Sequence, residues 1–93
     1  MKSSGKKPKF EIQFVRSVLK DLKHIDKSVL PIIKKDIESL VAFPDAVNIK
    51  KLIRHPVADY RLRSGDYRIL FDIDTKSRII TILKIGHRKD IYE

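Results

Sequence analysis

The stretch that decides the fold is Tyr60-Arg61-Leu62-Arg63-Ser64-Gly65-Asp66-Tyr67-Arg68-Ile69-Leu70-Phe71, where two alternating runs flank a turn. Alternation of apolar and polar residues is typical of a half-buried strand, and glycine between two such runs is typical of a hairpin. Side chains alternate between the faces of a strand, so Tyr60 and Leu62 share one face while Arg61 and Arg63 share the other. The pattern predicts a β-hairpin with an apolar face and an arginine face.

The register of this hairpin depends on the length of its turn. A two-residue turn at Ser64-Gly65 keeps the apolar residues on one face and places Arg61 opposite Arg68, whereas a three-residue turn mixes the faces. We therefore expect the two-residue turn. Like charges directly opposite one another destabilise a strand pair, so an anion between these arginines would relieve the repulsion. The alternative is a solvated face with salt bridges to Asp59, Asp66 or Asp72.

The residues that precede the hairpin predict one strand and two helices. Residues 10–14 alternate between apolar and polar side chains, as in a half-buried strand. Apolar residues then recur at three- and four-residue spacing over 15–25 and 30–41, which predicts two amphipathic helices. Pro31 fits the first turn of the second helix, whose start can be capped by Asp26 or Ser28.

Two further strand-like runs, 67–73 and 78–85, complete the order β-α-α-β-β-β. The fold class expected is α+β: a single small domain with an antiparallel or mixed four-stranded sheet and both helices packed on one face. Residues 1–9 have no periodicity and are expected to form a basic, mobile N-terminal arm ahead of the domain at 10–93.

Composition points to an anionic partner. The 93 residues include 21 Lys and Arg against 12 Asp and Glu, a net charge of +9, which is typical of proteins that contact nucleic acid. Cysteine is absent, which excludes disulfides and thiolate metal sites. No glycine-rich nucleotide loop is present, and we expect no metal or other cofactor. No apolar run approaches the length of a membrane span, so we expect a cytoplasmic protein.

The C-terminal run Gly86-His87-Arg88-Lys89-Asp90-Ile91-Tyr92 holds a second group of reactive side chains. Gly86 permits a sharp turn, which we expect to bring His87, Arg88 and Tyr92 toward the arginine face. RNA cleavage by internal transfer needs a base for the 2′-OH, positive charge at the phosphate and a proton donor for the 5′-oxygen. The ordinary pKa of histidine favours His87 as base or acid, with an ordinary half-exposed histidine as the alternative.

With these two motifs, the segment from Phe10 to Tyr92 resembles the RelE/ParE superfamily of toxins from type II toxin–antitoxin systems. The resemblance to the RelE branch implies an mRNA interferase that cleaves the message in the ribosomal A site. That reaction leaves a 2′,3′-cyclic phosphate and a 5′-OH. It also implies a cognate antitoxin, with which the toxin forms a hetero-oligomer.

The resemblance implies roles for five catalytic residues. Arg61 matches a hairpin residue that holds substrate phosphates, Arg68 an arginine that stabilises the transition state, and Arg88 an arginine near the leaving group. Tyr92 resembles the C-terminal tyrosine that serves as general base in RelE, although it follows the arginine at a shorter spacing. His87 stands where RelE has lysine, and some relatives use a nearby histidine catalytically.

The same resemblance indicates a set of RNA-binding residues. Asp59 occupies the position of a second basic hairpin residue of RelE, so Lys50, Lys51 or Arg54 is expected to supply that charge. Arg63 is expected to bind phosphate beside Arg61.

Two other functions remain open at the level of the sequence. The ParE branch of the superfamily inhibits DNA gyrase and generally lacks the nuclease residues. A degenerate toxin that binds only its antitoxin is the third interpretation.

Overall fold

The computed structural model describes residues 9–46 and 48–91. Most of the predicted basic arm and the predicted catalytic Tyr92 therefore lie outside the described residues. The elements follow in chain order: β1 Glu11–Phe14, α1 Arg16–Lys23, α2 Leu30–Glu38, a 3₁₀ helix Ser39–Ala42, β2 Ile49–Lys51, β3 Tyr60–Ser64, β4 Tyr67–Asp74 and β5 Ile79–His87.

The sheet has the strand order β1-β5-β4-β3-β2. Strand β1 runs parallel to β5, and the other neighbours are antiparallel, so the sheet is mixed. The α+β class is confirmed, but the prediction of four strands is wrong because β2 adds a fifth at the edge. With only three residues, β2 is too short to show a period-2 pattern.

Both helices pack on one face of the sheet, as predicted. Val18 of α1 and Ile33 and Ile37 of α2 are buried in a cluster with inward-facing strand residues. The strand residues of this cluster include Leu62, Ile69, Phe71, Ile80, Ile82 and Ile85. The apolar side chains of the hairpin thus pack against the helices in the core, and the opposite sheet face carries the arginines.

The start of α2 differs from the predicted cap. Pro31 does lie in the first turn, but Val29 occupies the N-cap position and no side chain caps the helix. Asp26 instead accepts hydrogen bonds from the backbone N–H and the hydroxyl of Ser28, both at 2.9 Å. These bonds close the turn that leads into α2.

The hairpin turn has two residues, as predicted, but it is displaced by one position. Ser64 pairs with Tyr67, and the turn is Gly65-Asp66, with Gly65 at φ +57°. A positive φ at the first turn position favours glycine, which lacks the Cβ that would clash there. Ser64 lies on the helix side, where its hydroxyl donates to the Asp36 carboxylate of α2 at 2.6 Å.

Because the turn is displaced, the predicted pairing of Arg61 with Arg68 is wrong. Arg63 lies opposite Arg68, and Arg61 lies opposite Leu70. All three arginines nevertheless stay on one face. Moving the turn by one position shifts the partner of each residue by two positions, and residues two apart lie on the same face of a strand.

Candidate functional site

The sheet face away from the helices, here called the arginine face, is organised in cross-strand rows. Directly opposite residues share a face. One row contains Lys50, Arg61, Leu70 and Lys84 on β2, β3, β4 and β5. The neighbouring row, nearer the hairpin turn, contains Arg63, Arg68 and Gly86. Five cationic side chains therefore occupy two adjacent rows.

The three arginines of β3 and β4 differ in exposure. Arg63 is exposed, Arg61 is half-buried and Arg68 is only 9% exposed. The Nη1 of Arg68 donates to the carbonyl oxygens of Gly65 and Tyr67, each at 3.0 Å. Arg68 therefore braces the hairpin turn, and its charge is held at a fixed place under the surface.

Arg88 lies at the hairpin end of the arginine face. Its backbone N–H donates to the Asp66 carbonyl at 2.7 Å, and its Nε lies 3.7 Å from the Asp66 carboxylate. Both side chains are well exposed, so the ion pair is solvated and leaves Arg88 accessible to an anionic ligand.

The segment after β5 returns over the arginine face at Ile91, and the predicted position of Tyr92 lies outside the described residues. Ile91 is buried in a second apolar cluster with Leu52, Ala58 and Leu70. Gly86 permits this contact, since a Cβ there would lie 2.8 Å from Cδ1 of Ile91. Ile91 is the last residue described, and Tyr92 follows it directly.

His87 does not face the arginines. It pairs with Tyr67 on the helix side, where the two rings pack edge to face with their centroids 5.5 Å apart. The reason is a β-bulge: Phe71 lies opposite Ile82, whereas Leu70 lies opposite Lys84. The extra residue in β5 reverses the alternation, and His87 changes face.

The surroundings of His87 also define its chemistry. Nδ1 accepts a hydrogen bond from the Lys89 backbone N–H at 3.1 Å, so the neutral ring carries its proton on Nε2. The ring lines a cavity of about 350 Å³ together with Asp21 and His24 of the α1 end. The bond from Lys89 therefore occupies the lone pair of Nδ1.

The predicted RNA-binding residues are distributed over two faces and a loop. Lys50 lies on the arginine face opposite Arg61, whereas Lys51 lies opposite Tyr60 on the helix side. Arg54 is exposed in the loop between β2 and β3 and has φ 56°. Lys50 and Arg63 are the members of this set that share the face of Arg61.

Two features of the surface escaped the sequence prediction. Lys84 is exposed on the arginine face because of the bulge. On the helix side, an apolar groove of about 740 Å³ lies between β1, α1 and α2. It is lined by Ile12, Phe14, Leu22, Leu30, Pro31, Ile33, Lys34, Ile37 and Glu38. Phe14 is 44% exposed at this groove, although the alternation of β1 predicts a buried side chain there.

Within residues 9–46 and 48–91, no three His, Cys, Asp or Glu side chains are grouped as metal ligands would be. In the same part of the chain, no helix has the length and apolarity needed to cross a membrane.

Comparison with known proteins gives a consistent relationship. Residues 12–92 match the family described as the ParE toxin of the type II toxin–antitoxin system, parDE. The putative toxin RelE1 of Methanocaldococcus jannaschii is 35% identical over 88 residues, which cover 91% of this chain and 97% of that protein.

Two solved complexes share the fold. The archaeal RelE–RelB complex from Pyrococcus horikoshii aligns at TM-score 0.72 and 25% identity, covering 89% of this chain and 99% of the matched one. The RelB–RelE antitoxin–toxin complex from Methanococcus jannaschii aligns at TM-score 0.64 and 32% identity, covering 86% and 94%. The chain belongs to the ParE toxin family, in the RelE/ParE superfamily, and is a RelE-like toxin of a type II toxin–antitoxin system.

Proposed function

We propose that this toxin is a cytoplasmic, ribosome-dependent endoribonuclease that inhibits translation by cleaving mRNA in the ribosomal A site. The observation that carries the proposal is the arginine face, where Arg61, Arg63 and Arg68 occupy adjacent rows. Guanidinium groups present several N–H donors in a plane and suit phosphate oxygens. Several such groups on one face suit a ligand that carries several phosphates.

The positions of the arginines suggest a division of roles. Exposed Arg63 and half-buried Arg61 bind backbone phosphates, with Lys50 and Arg54 extending the track. Arg68, held by two carbonyl oxygens, presents a preorganised charge to the phosphorane that forms during transfer. Arg88 stabilises the departing 5′-oxygen. Tyr92 stays a predicted proton acceptor.

The test is translation of a defined message with and without the protein, with cuts mapped on ribosome-bound and free RNA. We expect cuts on the ribosome only, with a 2′,3′-cyclic phosphate and a 5′-OH. Arg61→Ala and Arg88→Ala should each reduce cleavage by about 10²-fold or more, because each removes charge stabilisation from the transition state. Lys20 is exposed on α1, so Lys20→Ala changes the net charge by the same amount as these variants and should cleave normally.

Inhibition of DNA gyrase is the second candidate, because the matching family is described by its ParE toxin. A supercoiling assay with the same preparations separates the two. If the message stays intact and supercoiling is inhibited, the protein is a gyrase inhibitor and not a nuclease. If neither effect occurs, the protein is a toxin that has kept only its antitoxin contact.

We further propose that a cognate antitoxin binds the apolar groove on the helix side and forms a hetero-oligomer with the toxin. Two of the structural relatives are complexes of RelE with RelB. The groove has an apolar lining and exposes Phe14, which suits the apolar stripe of an amphipathic helix. Phe14→Asp should abolish co-purification with the neighbouring gene product, whereas Gln13→Asp on the opposite face of β1 should retain it.

A further inference from the structure

The strand register places Asp59 on the arginine face. The Leu52 N–H donates to the Asp59 carbonyl at 2.8 Å, which extends the pairing of β2 with β3 by one residue pair. Leu52 packs against Leu70 on the arginine face, so its partner Asp59 lies on that face too. Asp59 precedes Arg61 by two residues, a separation of about 7 Å along an extended strand.

Asp59 differs from the other carboxylates nearest to the arginines. Asp72, in the same row on β4, is half-buried, and its Oδ1 accepts the Asp59 backbone N–H at 2.7 Å. Asp66 is paired with Arg88 at the hairpin turn. Asp59 is exposed, and both of its backbone groups are fixed by neighbouring strands. Its backbone is thus held in place, and its exposed carboxylate lies one row from Arg61.

The described arginine face has many donors near Arg61 and few acceptors. Arginine and lysine donate hydrogen bonds and accept none when charged, whereas an ionised carboxylate only accepts. His87 is on the other face with Nδ1 occupied. Cleavage by the 2′-OH nevertheless requires that a proton leave that hydroxyl.

We propose that Asp59 is the general base of the reaction, an inference that rests on the proposed nuclease function. The Asp59 carboxylate accepts the 2′-OH proton while the 2′-oxygen forms a bond to phosphorus. The bond from phosphorus to the 5′-oxygen then breaks, and the 5′-oxygen takes a proton from water. Arg61 holds the phosphate one row away, and its charge offsets the repulsion between the carboxylate and the substrate.

Asp59→Asn tests the proposal, because the amide keeps the size of the side chain and cannot accept the proton. We expect ribosome-dependent cleavage to fall by about 10²–10⁴-fold, the usual contribution of a general base. Thermal unfolding and toxin–ribosome binding should match those of the wild type. Asp45→Asn is the matched control; Asp45 is exposed and lies outside the arginine face, so this variant should cleave normally.

A message with a bridging 5′-sulfur at the cleavage site identifies the step. Thiolate leaves without a proton, so a variant defective in leaving-group protonation recovers on this substrate. The Asp59→Asn defect should persist. Recovery of Asp59→Asn on the sulfur substrate would overturn the assignment, and so would wild-type cleavage of the ordinary message by this variant. The assignment would also fail if Tyr92→Phe lost cleavage while Asp59→Asn kept full activity. Failure of the wild type itself to cleave would instead remove the nuclease function.

Discussion

At the scale of residues, burial separates arginines that look alike in the sequence. Arg68 bonds to two carbonyl oxygens and is nearly buried, whereas Arg63 across from it is exposed. An exposed guanidinium can be removed without disturbing the fold. A buried guanidinium supports the hairpin turn in addition to any contact with a ligand. A loss of activity after its removal can therefore come from lower stability or from the lost ligand contact.

Arg63→Gln should therefore weaken RNA binding and leave stability unchanged. Removal of one phosphate contact should reduce the slope of log affinity against log salt by about 0.7 for single-stranded RNA. Titration of labelled RNA at several salt concentrations measures the slope, and Lys20→Gln on α1 is the control. An unchanged slope would remove Arg63 from the phosphate contacts.

Gly86 makes a testable contact with Ile91. A Cβ at Gly86 would lie 2.8 Å and 3.0 Å from two Ile91 side-chain carbons, so Gly86→Ala should lower the free energy of unfolding by about 1–3 kcal/mol through overpacking. The same substitution in an Ile91→Ala background should cost almost nothing. Denaturant unfolding of the four variants gives the coupling, and equal costs in both backgrounds would contradict the contact.

At the scale of elements, the sequence predicted periodic segments well and short or interrupted ones poorly. The amphipathic helices and the two-residue turn follow from local patterns. The position of the turn has a local signal that the prediction missed, since glycine favours the first turn position, where Gly65 has φ +57°. The contact of Ser64 with Asp36, 28 residues away, is not visible in any local pattern. The face of His87 depends on a single extra residue in β5, and alternation read without that bulge assigns the ring to the arginines.

Two short turns should make stability depend on pH. Backbone and side-chain hydrogen bonds from Ser28 lower the pKa of Asp26, and those from Ser77 lower the pKa of Asp74. A carboxylate with a lowered pKa in the folded state stabilises the protein above its unfolded pKa, and the contribution is lost as pH falls through the folded value. The melting temperature should therefore fall on acidification.

The double variant Asp26→Asn with Asp74→Asn should show a smaller fall, because neither amide titrates. Calorimetry of both proteins from neutral to acidic pH measures the difference. Identical pH profiles would show that these turns contribute nothing to the acid sensitivity of the fold.

At the scale of the whole molecule, the sheet separates two surfaces of different chemistry. The helix side carries the apolar groove, and the other side carries the arginine rows with Asp59. Changes at distant, independent sites add without coupling. The two surfaces should therefore be separable by mutation.

Phe14→Asp should lose antitoxin binding while the isolated toxin still cleaves, and Arg88→Ala should show the reverse. Pull-down and cleavage assays on the same preparations test this expectation. Loss of both activities in either variant, with unfolding unchanged, would indicate a single shared surface.

The central position of β5 has a consequence for synthesis. This strand lies between β1 and β4, so a later segment of the chain joins β1 to the rest of the sheet. A nascent chain lacking 79–87 cannot close the sheet or bury its apolar residues. The arginine face therefore lacks Lys84 and the support of β5 until residues 79–87 have been made.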